Sequence, residues 1–160
     1  MNILVVSDTH DNFEALLKVY EKHKDEIRLV IHLGDGLRDL YALNAKEYIG
    51  VRGNNDYSNE ELVRAKEIGD VTLVLEHIPN RSYLTLENYK EKNIIYMHGH
   101  EHKLKCDEYD KLLEVSPGAL TLPRDGNLPT YILMNIIDSE VNIEFYNIKG
   151  ENLRNCKKKF

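Results

Sequence analysis

The chain opens with MNILVVSDTH, residues 1–10, and this stretch decides the fold. The short aliphatic run at Asn2–Val6 is typical of a strand buried on both faces, as in parallel sheets. The run ends abruptly at Ser7, and it is too short for the core of a signal peptide. We therefore expect the fold to begin at once with a buried strand that delivers polar side chains to its carboxyl end.

The residues that follow alternate between helical and strand patterns. Asp11 and Glu14 have the spacing of a capping box, and the apolar spacing after them predicts a helix from Asn12 to about Lys24. The remaining elements of this half are a strand at Leu29–Leu33, a helix at Leu37–Ala45 and a strand at Tyr48–Val51. Strand–helix–strand–helix–strand order implies right-handed crossovers and a parallel sheet.

The second half is richer in strands. Two strands, Leu62–Ile68 and Val71–Glu76, flank Gly69-Asp70, a predicted hairpin turn. The other predicted elements are a helix at Leu84–Lys92, strands at Ile94–Met97, Leu112–Val115, Thr130–Asp138 and Glu140–Ile148, and a frayed, solvated tail at Asn152–Phe160. Together these elements suggest two packed sheets with helices outside. We expect one domain over residues 1–160, within the usual size of about 100–200 residues.

Composition and charge limit the classes of molecule that the protein is expected to bind. The 160 residues include 27 acidic and 21 basic side chains, for a formal charge of −6. Such a chain repels polyphosphate backbones, so nonspecific nucleic-acid binding is not expected, although a metal could still attract a small anionic substrate. No segment approaches the roughly 18 apolar residues of a membrane span. The two cysteines form no CxxC motif, so we expect a cytoplasmic protein; a homo-oligomer stays open.

Polar side chains cluster just after the predicted strands, where ligands bind in open α/β sheets. Each fragment alone has turn composition, and a turn is the better interpretation of any one of them taken singly. The ordered set, however, has three carboxylate or amide oxygens and four imidazoles at successive strand ends. Its members are Asp8, His10, Asp35, Asn54, His77, His100 and His102. His23 and His32 are interpreted as structural residues. His98 is interpreted either as structural or as a residue that supports the ligands.

A mixed shell of oxygen and imidazole ligands suits manganese, iron, zinc or nickel. Seven candidate ligands are too many for one open site, but they suit two metals if one carboxylate bridges. Cysteine is absent from the set, which argues against a structural zinc site.

The order of these motifs resembles that of the calcineurin-like metallophosphoesterases. The shared motifs are Asp8-x-His10, Gly34-Asp35, Gly53-Asn54, His77 and Gly99-His100-x-His102. The short chain is similar to the small bacterial and archaeal phosphodiesterase branch. The resemblance implies an α/β fold of four α-β-β-α layers, a double β-sandwich, which matches the pattern of elements. It also implies hydrolysis of a small phosphoester by two divalent ions, with Mn²⁺ the usual ion and Ni²⁺, Fe²⁺, Zn²⁺ or Mg²⁺ as alternatives.

The resemblance implies a role for each residue. The first metal would be held by Asp8, His10, Asp35 and His102, and the second by Asp35, Asn54, His77 and His100. Asp35 would bridge the two ions, which would share a water, lower its pKa and direct it at phosphorus. The implied catalytic positions are Asp35, Asn54, Asn55 and Asp56.

The sequence departs from the family pattern at four places, one of which is Ser116-Pro117-Gly118, where the family often has Asn-Pro-Gly. The other three lie beside the candidate ligands. Ile78 follows His77 where the family usually has glycine, and Glu101 replaces a common threonine. Asn55 stands where many relatives carry a histidine that protonates the leaving oxygen; an amide cannot do so near neutral pH. We therefore expect diesters or activated esters to be preferred. The competing hypothesis is a non-catalytic protein-binding scaffold of the same fold, since fold alone does not imply function.

Overall fold

A computed structural model describes residues 1–81, 84 and 91–160 of the protein. Two sheets face each other and two helices cover the outside of the first. The first sheet has the strand order β11-β10-β9-β1-β2-β3 and the second has the order β4-β5-β6-β8-β7. The first sheet contains β1 (Asn2–Val6), β2 (Leu29–His32), β3 (Tyr48–Gly50), β9 (Thr130–Ile137), β10 (Glu140–Asn147) and β11 (Asn152–Lys159). The second contains β4 (Val63–Ile68), β5 (Val71–Glu76), β6 (Asn93–His98), β7 (Leu104–Glu108) and β8 (Leu112–Pro117).

Parallel strands lie at the centre of both sheets. In the first sheet β1 pairs in parallel with β2, and β2 with β3, while β9 joins the other side of β1 antiparallel. In the second sheet β5, β6 and β8 are parallel, with antiparallel strands at both edges. The predicted parallel sheet of the first half and the Gly69-Asp70 hairpin between β4 and β5 are therefore confirmed.

The main core lies between the two sheets. Alternate side chains of β1, such as Ile3 and Val5, pack there against Leu73, Leu75 and Phe145. The opposite face of β1 contacts the helices α1 (Phe13–His23) and α2 (Leu37–Ala42). Because both faces of β1 are buried, its sequence is a continuous aliphatic run rather than an alternating one. The mixed α/β fold with two sheets is as expected, and the predicted helix Leu84–Lys92 falls largely outside the described residues.

Several predicted boundaries were wrong. The cap of α1 is Asn12, whose side chain accepts a hydrogen bond from the Ala15 amide, rather than Asp11. The helix α2 ends at Ala42 rather than Ala45, because Asn44 adopts a left-handed φ of 53° that a helix cannot continue through. The sequence analysis also missed β7, a short edge strand whose polar residues do not show a clear alternation. No helix in the described part of the chain is both long and apolar enough to cross a membrane.

The carboxyl-terminal tail is an edge strand, which corrects the expectation of a frayed terminus. β11 pairs antiparallel with β10. Lys158 is only 6% exposed, and its Nζ donates to Glu108 Oε1 at 2.9 Å and to the Tyr109 carbonyl at 2.8 Å. Since Glu108 belongs to β7, this lysine joins the edge of the first sheet to the edge of the second. In the run of three lysines, Lys158 faces inward and its two neighbours face outward, a difference that their shared charge does not indicate.

Replacing Lys158 by alanine should lower the free energy of unfolding by about 2 kcal/mol, because it removes two buried hydrogen bonds from a charged donor. Lys157→Ala is the matched control: its side chain is 65% exposed, so its effect should stay within about 0.5 kcal/mol. Urea unfolding followed by circular dichroism measures both values. Equal effects of the two substitutions would show that the tail does not join the sheets.

Candidate metal centre

The seven candidate ligands come together at one edge of the molecule. Asp8 and His10 follow β1, Asp35 follows β2, and Asn54 follows β3. The second sheet supplies His77 after β5, and His100 and His102 after β6. All of these strands lie in parallel groups, and the carboxyl ends of parallel strands meet at the same edge of a sheet. The two sheets therefore face each other with their ligand-bearing edges side by side.

Three ligand atoms form a first group. Asp8 Oδ1 lies 3.1 Å from His102 Nε2 and 3.7 Å from His10 Nε2. The two imidazole Nε2 atoms are 3.4 Å apart. These three side chains present their ligand atoms close enough to share a single ion.

A second group forms around His77. Its Nε2 atom lies 3.4 Å from Asp35 Oδ2 and 3.1 Å from Asn54 Oδ1, and its ring centroid is 5.2 Å from that of His100. Asp35, His77 and Asp8 also form a cluster of ligand atoms with metal-binding spacing. Asp35 Oδ2 is 3.9 Å from His10 Nε2 as well, so this one oxygen is near ligands of both groups.

Acceptor atoms face each other throughout this centre. His77 Nδ1 is 2.7 Å from the Leu33 carbonyl, and His102 Nδ1 is 2.8 Å from the Leu122 carbonyl. A carbonyl can only accept, so each Nδ1 carries the proton and each neutral ring turns the lone pair of Nε2 toward the other ligands. Asp8 Oδ1 is buried and accepts no hydrogen bond from the described residues. Such a concentration of lone pairs requires a cation, and the residues therefore fit a metal.

The pKa values of His77 and Asp35 follow the same electrostatics. Burial disfavours the charged imidazolium, but the hydrogen bond that a protonated Nε2 would donate to Asp35 and the charges of Asp8 and Asp35 outweigh it and raise the pKa of His77. Burial likewise disfavours the Asp35 carboxylate, yet the hydrogen bond that protonated His77 would donate and the two hydrogen bonds from Asn55 hold the pKa of Asp35 far below its usual range. A proton on His77 thus partly neutralises the same carboxylate charges that a metal cation would neutralise.

The backbone at the ligands adopts an uncommon conformation. Five of the seven candidates, Asp8, His10, Asp35, His100 and His102, have positive φ angles between 47° and 66°. Non-glycine residues rarely adopt this region, and where they do the strain concentrates at functional sites. Gly99 is required for a different reason: a Cβ atom there would collide with Ser7 Oγ and approach Asp8 Oδ2 to 3.0 Å.

The comparison with known proteins agrees with this geometry. The model of the calcineurin-like phosphoesterase superfamily domain matches residues 1–139. The chain belongs to this superfamily. Its members depend on metal ions, and this chain contains two groups of side chains whose ligand atoms lie close enough together to hold one.

Two curated relatives span nearly the whole chain. A Bacillus subtilis protein named "Probable metallophosphoesterase YsnB" is 23% identical over 164 residues, which cover 98% of this chain and 97% of the relative. A protein of Methanocaldococcus jannaschii named as a phosphodiesterase is 29% identical over 161 residues, covering 88% and 94%. Among solved structures, a single mutant of Vps29 from Entamoeba histolytica has a TM-score of 0.75 at 24% identity, over 100% of this chain and 99% of the other.

Asp56, which the sequence analysis predicted to be catalytic, contacts the backbone of the loops that carry the ligands. Its carboxylate accepts hydrogen bonds from four backbone amides: Asp35 at 2.8 Å, Gly36 at 2.9 Å, Leu37 at 3.0 Å and Gly53 at 2.8 Å. These bonds join the loop after β2 to the loop after β3. Asp56 therefore fixes the relative position of the loops that bear Asp35 and Asn54.

Asn55 contacts the central carboxylate directly. Its backbone amide donates to Asp35 Oδ1 at 2.8 Å and its side-chain amide donates to Asp35 Oδ2 at 2.6 Å. These two bonds orient Asp35 and keep it ionised. The two other departures from the family pattern, Ile78 and Glu101, are both exposed beside the ligand loops.

The histidines outside the ligand set have separate partners. His23 lies within 3.0 Å of the Tyr131 hydroxyl, in the layer of α1. His98 points to the other face of the second sheet, where its Nε2 is 3.2 Å from Glu114 Oε1 but forms no hydrogen bond with the described residues. The interpretation of His23 as structural, and of His98 as structural or supporting, stays a prediction.

His32 belongs to a buried chain of hydrogen bonds that the sequence analysis missed. The Gly34 amide donates to His32 Nδ1 at 3.2 Å, so the proton of the neutral ring is on Nε2, 3.2 Å from Thr9 Oγ1. Thr9 in turn donates to Asp39 Oδ2 at 2.5 Å. The chain holds the Asp8–His10 turn against the loop after β2. Only the position of Thr9 between two ligand candidates hinted at such a role.

The burial of His32 makes the stability of the protein depend on pH. Burial lowers the pKa of His32 from 6.5 to about 4, so the unfolded chain takes up a proton below pH 6.5 that the folded protein refuses. Between pH 7.5 and pH 5 this should cost about 2 kcal/mol of stability, and the loss should level off below pH 4. Urea unfolding of metal-free protein measures it. His32→Gln should show a pH dependence weaker by this amount, whereas parallel curves would contradict the assignment.

Proposed function

We propose that the protein is a phosphodiesterase that uses two divalent metal ions to hydrolyse a small phosphodiester. The observation that carries this proposal is the cluster of facing acceptor atoms around Asp8, Asp35 and His77, which only a cation can neutralise. Asp8, His10, Asp35 and His102 would hold one ion, and Asp35, Asn54, His77 and His100 the other. The oxygen and imidazole donors suit Mn²⁺, with Ni²⁺, Fe²⁺, Zn²⁺ and Mg²⁺ as alternatives.

Two ions held there would lower the pKa of a water and neutralise the charge that develops on the phosphoryl oxygens. The side chains of the protein prepare this chemistry. Asp35 Oδ2 lies near both ligand groups and is kept ionised by Asn55, so it is the carboxylate that can serve both ions. The carbonyls of Leu33 and Leu122 hold the rings of His77 and His102 with Nε2 turned inward.

We further propose that the enzyme acts in the cytoplasm. Cys106 and Cys156 are both free thiols. Free thiols of this kind are usual in a reducing compartment.

Asp35→Ala should remove activity more severely than the loss of any other ligand, because it removes an oxygen shared by both groups. Hydrolysis of bis(4-nitrophenyl) phosphate should require added Mn²⁺, stop with a chelator, and fall at least about 1,000-fold in this variant. Metal content, measured by mass spectrometry after gel filtration, should fall below two ions per chain. Asp25→Ala, which changes an exposed aspartate away from the centre, should leave both values unchanged.

Two results would contradict the proposal. Full metal content and a near-normal rate in Asp35→Ala would exclude a shared carboxylate. Two tightly bound ions with no hydrolysis of any phosphodiester would favour a non-catalytic scaffold of the same fold.

Asn55 should make the enzyme depend on a good leaving group. Asn55 is occupied with Asp35 and has no titratable proton, whereas a histidine at this position could protonate an alkoxide, a contribution worth roughly 10²–10⁴-fold. The native enzyme should therefore favour aryl over alkyl esters in kcat/KM, and Asn55→His should reduce that ratio. The ratio is the proper readout, since the substitution also removes a hydrogen bond to Asp35. An unchanged ratio would indicate a different proton donor.

A further inference from the structure

Two cavities border the candidate ligands. The first, of about 740 Å³, is bordered by Asn54 and His77 and is called here the Ile78 cavity. The second, of about 330 Å³, is bordered by His10 and Asn55 and is called the Tyr57 cavity. A phosphodiester has two ester groups, so a phosphate bound between the cavities would direct one group into each. This inference rests on the proposed phosphodiesterase function.

The wall of the Ile78 cavity is apolar. Ile78 is 49% exposed and Leu62 is 54% exposed, and Val63 and Pro79 continue the same surface. Isolated exposed aliphatic residues are ordinary, but here four apolar residues line one concavity beside the candidate ligands. Concave apolar surfaces with a few polar groups are the usual form of small-molecule sites. The isoleucine after His77, a departure from the family pattern, therefore contributes a hydrophobic contact for substrate.

The acidic and basic side chains of the Ile78 cavity differ in whether they can bind a ligand. Its two acidic residues are occupied: Asp56 accepts four backbone amides, and Glu76 accepts the amide of Asn80 at 2.6 Å and the Tyr96 hydroxyl. Among the described residues, Arg52 is the only lysine or arginine that lines the cavity, and it forms no ion pair with any of them. Its Nη1 donates to the Ser58 carbonyl at 3.2 Å, and its other donors remain for a ligand.

The position of Asn55 assigns the two cavities to different halves of the substrate, because many relatives carry at this position the histidine that protonates the leaving oxygen. Asn55 borders the Tyr57 cavity together with His10. The leaving group therefore belongs on that side. The ester group that is retained after hydrolysis belongs in the Ile78 cavity.

We propose that the Ile78 cavity selects phosphodiesters whose retained ester group is a flat apolar ring carrying an acidic substituent. Ile78 and Leu62 contact the ring, and Arg52 binds the substituent. The specificity of the enzyme for its retained group is thus set by residues that neither hold a metal nor contact the leaving oxygen.

The test varies the retained group and keeps the leaving group constant. Three substrates release 4-nitrophenolate and retain a methyl, a phenyl or a 3-carboxyphenyl ester group. The native enzyme with Mn²⁺ should prefer phenyl over methyl, and 3-carboxyphenyl over phenyl, in kcat/KM. Ile78→Ala should reduce the phenyl-to-methyl ratio about tenfold, the usual value of small changes in an apolar pocket. Ile137→Ala, which changes another exposed isoleucine at the end of β9, should leave the ratio unchanged.

The contribution of Arg52 is tested separately. Arg52→Met should lower the ratio of 3-carboxyphenyl to phenyl about tenfold, as expected for loss of a charged hydrogen bond. Arg52→Lys should retain part of this preference because it keeps the charge. A loss that is equal for all three substrates would show that Arg52 only supports the loop through Ser58, and would overturn its assignment.

A binding measurement separates this inference from the proposed function. Methylphenylphosphinate and dimethylphosphinate are singly charged diester analogues without an ester bond. Calorimetry on the full-length, Mn²⁺-loaded protein should show tighter binding of the phenyl compound, and Ile78→Ala should remove the difference. If native protein hydrolyses no diester, the proposed function fails, but this binding difference still supports the cavity assignment. Equal affinities for the two phosphinates, or an Ile78→Ala ratio equal to the native one, would overturn it.

Discussion

The rest of this structure depends on one constraint, which is that carboxylate oxygens and imidazole nitrogens with facing lone pairs must be held close together. Asp8 Oδ1, Asp35 Oδ2 and the Nε2 atoms of His77 and His102 lie within a few ångströms of one another. Such an arrangement is unfavourable without a cation, so it exists only because the fold holds each ligand in place. The positive φ angles of five ligands are part of that cost, and the stability of the two-sheet core supports it.

The fold meets this constraint by linking its two sheets at the ligand edge. His77, on a loop of the second sheet, donates to the Leu33 carbonyl of the first. The amide of His100, also in the second sheet, donates to Asp8 Oδ2 of the first at 3.1 Å, and within the second sheet the amide of Gly99 donates to the His77 carbonyl at 3.0 Å. Because these bonds cross from loop to loop, neither sheet can move without separating ligands. Beside these ligands lie two cavities, one bordered by Asn54 and His77 and the other by His10 and Asn55.

Much of the centre could be predicted from the sequence because its residues follow buried strands. The aliphatic run of β1 is long enough to specify a strand buried on both faces, and its end places Asp8 at a sheet edge. The same reasoning applies to Asp35 and His77. Boundaries and edges were less predictable: Lys158 occurs among other lysines, and its burial depends on Glu108, a residue fifty positions away that no local pattern connects to it.

The sequence alone determined the fold class, the order of the ligand motifs and the membership that those motifs indicate, since each depends on local periodicity and residue type. Only the tertiary structure decided what the neighbours of the ligands do. Asp56 was predicted to be catalytic from its residue type and position. In the structure its carboxylate accepts hydrogen bonds from four backbone amides of two loops. Asn55, Thr9 and His32 likewise acquire their roles from partners distant in the chain. Hydrogen bonds between loops depend on how the sheets pack, and this packing is a property of the whole chain rather than of any segment.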